Sequence, residues 1–171
     1  MNVKLMTNET DVTGLKAGDA VSFSGIVYTA RDAAHKRMTE AAAEGKPLPF
    51  DLRGAAIYYA GPTPTREGEI IGSCGPTTSA RMDDYTPALL DLGLKIMIGK
   101  GKRSKEVVDG MVKNKAVYLI AVGGAAALVK SRITSCEDVA YPDLGCEAVR
   151  KLTVKDLPLL VAIDSRGNSI L

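Results

Sequence analysis

A chain of 171 residues with 46% hydrophobic and 25% charged positions has the composition of one ordinary globular domain, and is too short for two domains with cores of their own. Lys and Arg total 22 against 20 Asp and Glu; a net charge of +2 gives no general field for nucleic acid or an anionic membrane, so any affinity for anions must be local. Met1 to Thr10 has no apolar signal core, and charges and glycines interrupt every apolar run, so neither a leader nor a membrane span is expected and the chain reads as cytoplasmic.

Val3 to Met6 is a short apolar segment suited to an edge strand, and Gly18-Asp19 is a turn. Ala20 to Tyr28 alternates with period two and reads as a strand. The Ala-rich run from Arg31 to Glu44 reads as a helix closed by Gly45 and Pro47. Arg31 stands at its start, where it is either a ligand group or one half of a surface ion pair with Asp32 or another acid. Ala55 to Ala60 is the next strand, Gly61 to Thr65 breaks it, and Glu69 to Gly72 returns the chain towards its central stretch.

That stretch is Gly75-Pro-Thr-Thr-Ser-Ala-Arg-Met-Asp83, read as a turn feeding a helix over Met82 to Leu92. A helix N-terminus offers unpaired N–H groups and partial positive charge, and Thr77, Thr78 and Ser79 add hydroxyls behind Gly75, so the turn suits an anion. With Thr77 as N-cap, Arg81 lies near the same face and its guanidinium could share a carboxylate. The plainer alternative is a simple cap beside a solvated charge.

Leu94 to Ile98 is a strand ending in Gly99-Lys-Gly-Lys-Arg-Ser104, followed by a helix to Asn114 with Val107, Val108, Met111 and Val112 on one face. Ala116 to Val122 reads as a strand covered on both faces, and Gly123-Gly124 opens a helix through Lys130. This alternation implies parallel, right-handed crossovers, with ligands outside the carboxyl ends of the strands. None of the three glycine junctions has nucleotide-motif spacing, but Lys100 between two glycines could meet a ligand at close range; otherwise it is a basic turn. The remainder reads as strands over Ile133 to Val139, Ala148 to Val154 and Leu159 to Asp164, with a hairpin-type turn at Ser165 to Asn168.

Cys74, Cys136 and Cys146 are odd in number, include no Cys-x-x-Cys pair and accompany a single histidine, His35, so no disulfide or zinc framework is expected. All three read as small, mostly buried residues, with Cys74 placed so that the neighbouring helix N-terminus could lower its thiol pKa. His35 reads as structural, and one histidine makes a Ser-His-Asp triad hard to build.

Gly75 to Asp83, together with Ile98-Gly-Lys-Gly101, Thr29-Ala-Arg-Asp-Ala-Ala-His35, Tyr59-Ala-Gly-Pro62, Gly123-Gly-Ala-Ala-Ala127 and Tyr141-Pro-Asp-Leu-Gly-Cys-Glu-Ala148, resembles the beta subunit of class I fumarate hydratases and the related L(+)-tartrate dehydratases across nearly the whole chain. The resemblance implies an α/β fold, a single swivelling β/β/α domain over residues 1–171, and half of a hydro-lyase. It implies an alpha-subunit partner that ligates a [4Fe-4S] cluster, so that this chain's cysteines are not cluster ligands and it holds no metal of its own. It places functional residues at Arg31, Thr77, Arg81 and Lys100: cations for a dicarboxylate, and a hydroxyl at the reacting carbon. Gly75 and Thr78 complete the expected substrate contacts. Ser79-Ala80 departs from the small residues expected between Thr78 and Arg81, and the extra hydroxyl is expected to tune the pocket. Fumarate and tartrate both fit, as does a stand-alone dicarboxylate-binding module without catalysis.

Overall fold

The polypeptide alternates residues that cannot all face one core, and the computed structural model, which describes residues 2–121 and 125–171, resolves this with a sheet curled on itself. The strands are β1 Lys4–Met6, β2 Ala20–Thr29, β3 Ala56–Tyr58, β4 Ile96–Gly99, β5 Val117–Ala121, β6 Ile133–Ala140 and β7 Val149–Ile163. Their order is β1-β2-β3-β4-β5-β7-β6, and a further β2–β7 pairing closes β2, β3, β4, β5 and β7 into a barrel-like ring. β2 to β5 pair in parallel, which the alternation from Met82 onward implied for β4 and β5, whereas β7 is antiparallel to both neighbours in the ring.

Side chains alternate between two cores. Val21, Phe23, Ala56, Tyr58, Ile96, Ile98 and Leu119 fill the inside of the curl. Ile57, Tyr59, Met97 and Tyr118 point outward, beneath α1 Asp32–Ala43, α2 Thr86–Asp91 and α3 Lys105–Asn114. Both faces of β3 and β4 are therefore dry, which explains their unbroken apolar sequences. Each large aliphatic side chain fully buried this way contributes about 1.5–3 kcal/mol. α4 Ala125–Arg132 follows β5, and the Gly123-Gly124 junction lies outside the described residues. No helix among the described residues is long and apolar enough to cross a membrane.

Three sequence expectations change. The helix placed over Met82 to Leu92 begins only at Thr86, with Pro87 in its first turn, where a missing N–H is tolerated; Ser79–Met82 is a 3-10 turn. Ala148 to Val154 and Leu159 to Asp164 are parts of one strand, β7, which continues through Asp156 and Pro158. It can do so because a register shift between Phe23 and Gly25 of β2 absorbs an extra residue, and Ser24 Oγ accepts the Asp156 N–H at 2.9 Å. Val112 leaves the apolar face of α3 at 44% exposure, because Val107 and Met111 already cover the sheet.

Candidate functional site

The carboxyl ends of β2, β3 and β4 lie side by side, and backbone hydrogen bonds tie the loops beyond them into one edge. Ala30 N–H donates to Tyr58 O at 3.1 Å, and Tyr59 N–H to Ile98 O at 2.9 Å. Thr77 N–H reaches Tyr59 O at 2.7 Å, and Ser79 N–H reaches Lys100 O at 2.9 Å. Thr78 and Lys100 form a parallel bridge, so residues 77–79 run across the ends of β3 and β4. From below, the Tyr58 hydroxyl donates to Cys74 O at 2.6 Å.

Arg31, Gly75, Thr77, Thr78 and Lys100 are thus gathered at one end of the sheet. Thr78 and Lys100 are exposed, while Arg31, Gly75 and Thr77 are half-buried. Gly75 packs closely against α4: a Cβ there would lie 3.2 Å from Ala126 Cβ, a tight contact. Arg81 sits on the following 3-10 turn, exposed, outside the backbone links that join Thr77 to Lys100. The expected N-cap at Thr77 is replaced by Thr78, whose side chain makes no capping bond, and the element it opens is the 3-10 turn. The anion-binding helix terminus read from Gly75 to Asp83 is therefore absent; polar side chains on short loops remain.

Arg31 pairs with neither Asp32 nor a nearby residue but with Glu147, from the far end of the chain, at 3.9 Å. The same carboxylate accepts Ala33 N–H at 3.4 Å, at the positive end of α1. Gly61 lets the arginine lie flat, because a Cβ there would be 2.9 Å from Arg31 Cδ. Arg31 Nε is buried without a hydrogen-bond partner, which leaves the guanidinium with capacity to spare.

Beneath the loops lies a polar cluster that sequence reasoning missed. Arg103, on the loop where only Lys100 stood out, has a side chain with no exposure. Its Nε donates to Asp83 Oδ1 at 2.8 Å, and Nη2 donates to Tyr59 OH at 3.1 Å and Thr86 Oγ1 at 3.2 Å. Its guanidinium lies 5.1 Å from the Tyr59 ring centre and 4.8 Å from that of Tyr118. Asp83 Oδ2 accepts Ser104 N–H at 2.7 Å, which fixes the start of α3. Burial works against the Arg103 charge, but Tyr59 and Asp83 outweigh it and the pKa rises. Ser79 does not line the pocket directly: it is fully buried, and its Oγ meets Tyr118 OH at 2.7 Å. Burial pushes the Tyr118 phenol up to about 12, so it keeps its proton and donates it to Gly101 O at 2.9 Å. No pattern in the sequence marks Arg103, because its partners come from the residue after β3, from β5, from the turn before α2 and from the start of α2.

His35 is fully buried, as a structural histidine would be. Its Nδ1 lies 2.9 Å from Arg31 O, which can only accept, so Nδ1 carries the proton. Burial pushes its pKa down to about 4. The expectation for Cys74 reverses: its thiol is pushed up to about 12 because it is buried in the inner core rather than presented to a helix terminus. Cys136 is half-buried, while Cys146 is exposed, contrary to the expectation that all three are buried. The three sit on separate elements, and among the described residues no group of three or more His, Cys, Asp or Glu could hold a metal. Among the described residues, these cysteines do not fit a cluster site.

These features define an α/β domain with a closed sheet whose polar loops, several of them cationic, meet at the carboxyl edge of its parallel strands. The profile of the family described as Fumarase C-terminus matches residues 1–171, and the chain belongs to that family. It is 42% identical over 166 residues to the putative L(+)-tartrate dehydratase subunit beta of Methanocaldococcus jannaschii, covering 94% of this chain and 85% of that protein. It is 34% identical to the L(+)-tartrate dehydratase subunit beta of Escherichia coli, covering 94% of this chain and 81% of that protein. Against the aerobic class I fumarate hydratase of Escherichia coli it is 43% identical over 150 residues, covering 86% of this chain. The chain spans 27% of the length of that fumarate hydratase.

Proposed function

We propose that this chain is the small subunit of a [4Fe-4S]-dependent hydro-lyase that reversibly hydrates fumarate to malate, working in the cytoplasm with an alpha subunit that carries the cluster. In this reading its residues 1–171 form a swivelling β/β/α domain. The observation that carries it is the tie between Thr77-Thr78 and Lys100 at the carboxyl edge, with Arg31 at the neighbouring strand end. Relatives named as beta subunits support a larger partner.

The chemistry follows from the side chains. Arg31, Arg81 and Lys100 supply three cations for two carboxylates, and backbone beside Gly75 and Thr78 allows close approach. Removing a proton next to a carboxylate builds charge on it, and a cation already in place stabilises that charge more in the transition state than in the ground state. Thr77 is the group that carries the proton at the reacting carbon. A threonine hydroxyl is a very weak acid, so this work needs nearby cations and a dry site. The exposure of Thr78, Arg81 and Lys100 means that a second surface must close over them to exclude water.

Fumarate hydration, followed by ultraviolet absorbance under anaerobic conditions with this chain alone and with its partner after cluster reconstitution, tests the reading. Activity in the mixture alone, lost in Arg81→Met, is the expected result. Turnover of tartrate in place of fumarate would assign the related dehydratase. Dicarboxylate binding without turnover of either would leave a binding module, and unchanged binding by Arg81→Met would remove Arg81 from the site.

A further inference from the structure

A buried phenol hydroxyl is costly unless something depends on it, and a phenylalanine would fill the place of Tyr118 equally well in the outer core. The hydroxyl instead touches both loops of the candidate site. Its single proton goes to Gly101 O, next to Lys100, so Ser79 Oγ, next to Thr78, must be the donor in the 2.7 Å contact. One oxygen therefore bonds each segment one residue away from the Thr78–Lys100 bridge. Arg103 holds the ring from its face while bonding Tyr59, whose carbonyl receives Thr77 N–H. Gly99 makes the approach possible, since a Cβ there would collide with Ser79 Oγ and lie 2.6 Å from a Tyr59 ring carbon.

We propose that Tyr118 is a positioning residue: its hydroxyl, on a ring braced by Arg103, sets the separation of Thr77 from Lys100 and so the alignment of the proton carrier with the cation that receives the developing charge. The inference rests on the hydro-lyase reading of Thr77 and Lys100. Without the hydroxyl, the two loops keep only backbone links, the Ser79 N–H bond to Lys100 O and the Thr78–Lys100 bridge, and lose the side-chain brace that fixes their spacing. A displacement of about 1 Å at reacting groups costs roughly 100-fold in rate, while carboxylate binding by mobile cations tolerates it.

The test has two arms. In the full chain, amide exchange by mass spectrometry compares wild type with Tyr118→Phe and Ser79→Ala. Exchange at least about 10-fold faster across residues 75–82 and 99–104, with α1 and β7 unchanged, supports the proposal, and unchanged exchange in those loops overturns it. In the complex with the alpha subunit, both variants should lower kcat roughly 10- to 100-fold with KM within about 2-fold, and the double variant should lose no more than either one. Ser24→Ala, which removes the hydroxyl that accepts Asp156 N–H at the β2–β7 register shift, away from β5, is the control for general destabilisation and should leave kcat unchanged. Unaltered kcat in both loop variants, or an equal fall in the control, overturns the positioning role. A wild-type complex that turns over neither fumarate nor tartrate would sink the hydro-lyase reading instead, and with it the role assigned here, whatever the exchange result.

Discussion

Replacing Arg103 with Met removes the buried cation and leaves the Asp83 carboxylate, only 10% exposed, with Ser104 N–H but no charge to face. Met matches the stem in volume, so the loss is electrostatic: the Asp83 ion pair, the bonds to Tyr59 OH and Thr86 Oγ1, and the stacking on two rings. Removing one member of a buried pair costs about 3–5 kcal/mol, much of it the penalty of the charge left behind. For a chain of 171 residues, at about 2–4 °C per kcal/mol, the expected fall in Tm is roughly 10 °C. Urea unfolding of the full chain, followed by circular dichroism, measures the free energy. The pair Arg103→Met with Asp83→Asn should then be more stable than the sum of the single losses predicts, by about 1–3 kcal/mol, because the stranded charge is gone. A cost below about 1 kcal/mol for Arg103→Met, or strict additivity in the double variant, would mean that water enters the cluster and would refute the argument from burial.

Gly99→Ala should destabilise by about 1–3 kcal/mol through overpacking against Ser79 and Tyr59, while Gly45→Ala, open in space but at φ 68°, should cost only its backbone strain; chemical denaturation compares the two. His35 binds its proton more weakly in the folded chain, at about 4, than in the unfolded chain near 6.5, so stability should fall as pH drops through that window. The pH-dependent loss assignable to His35 is at most about 3 kcal/mol, and His35→Gln should flatten this part of the stability profile. Under native conditions at pH 8, iodoacetamide should modify Cys146 first, Cys136 slowly and Cys74 only on unfolding, which mass mapping of the peptides can follow.

Part of the candidate site's placement was legible from residue type and spacing. Thr77, Thr78 and Lys100 could be placed because glycine-bearing loops after parallel strands bring backbone to a common edge, and the bonds from Thr77 to Tyr59 and from Ser79 to Lys100 realise that edge. The helix terminus expected to build the anion site was misplaced by several residues, since Pro87 admits a helix start at Thr86 while the threonines upstream are engaged with β3 and β4. Cys74 shows the same limit from another side. Its neighbours in sequence suggested an activated thiol, but its neighbours in space are the apolar side chains inside the curl.

What the sequence by itself determined is the local layer: the strand from Ala20 by period-two alternation, α1 from composition, α3 from its apolar face, and the alternation of helix and strand from Met82 onward. These depend on interactions between residues close in the chain. Only the tertiary structure decided the closure of the sheet by β7, the pairing of Arg31 with Glu147, and the enclosure of Arg103 by Asp83, Tyr59, Thr86 and Tyr118. Each joins segments distant in sequence, and the cost of burying a charge or hydroxyl takes a definite value only once its partners are brought within hydrogen-bonding distance.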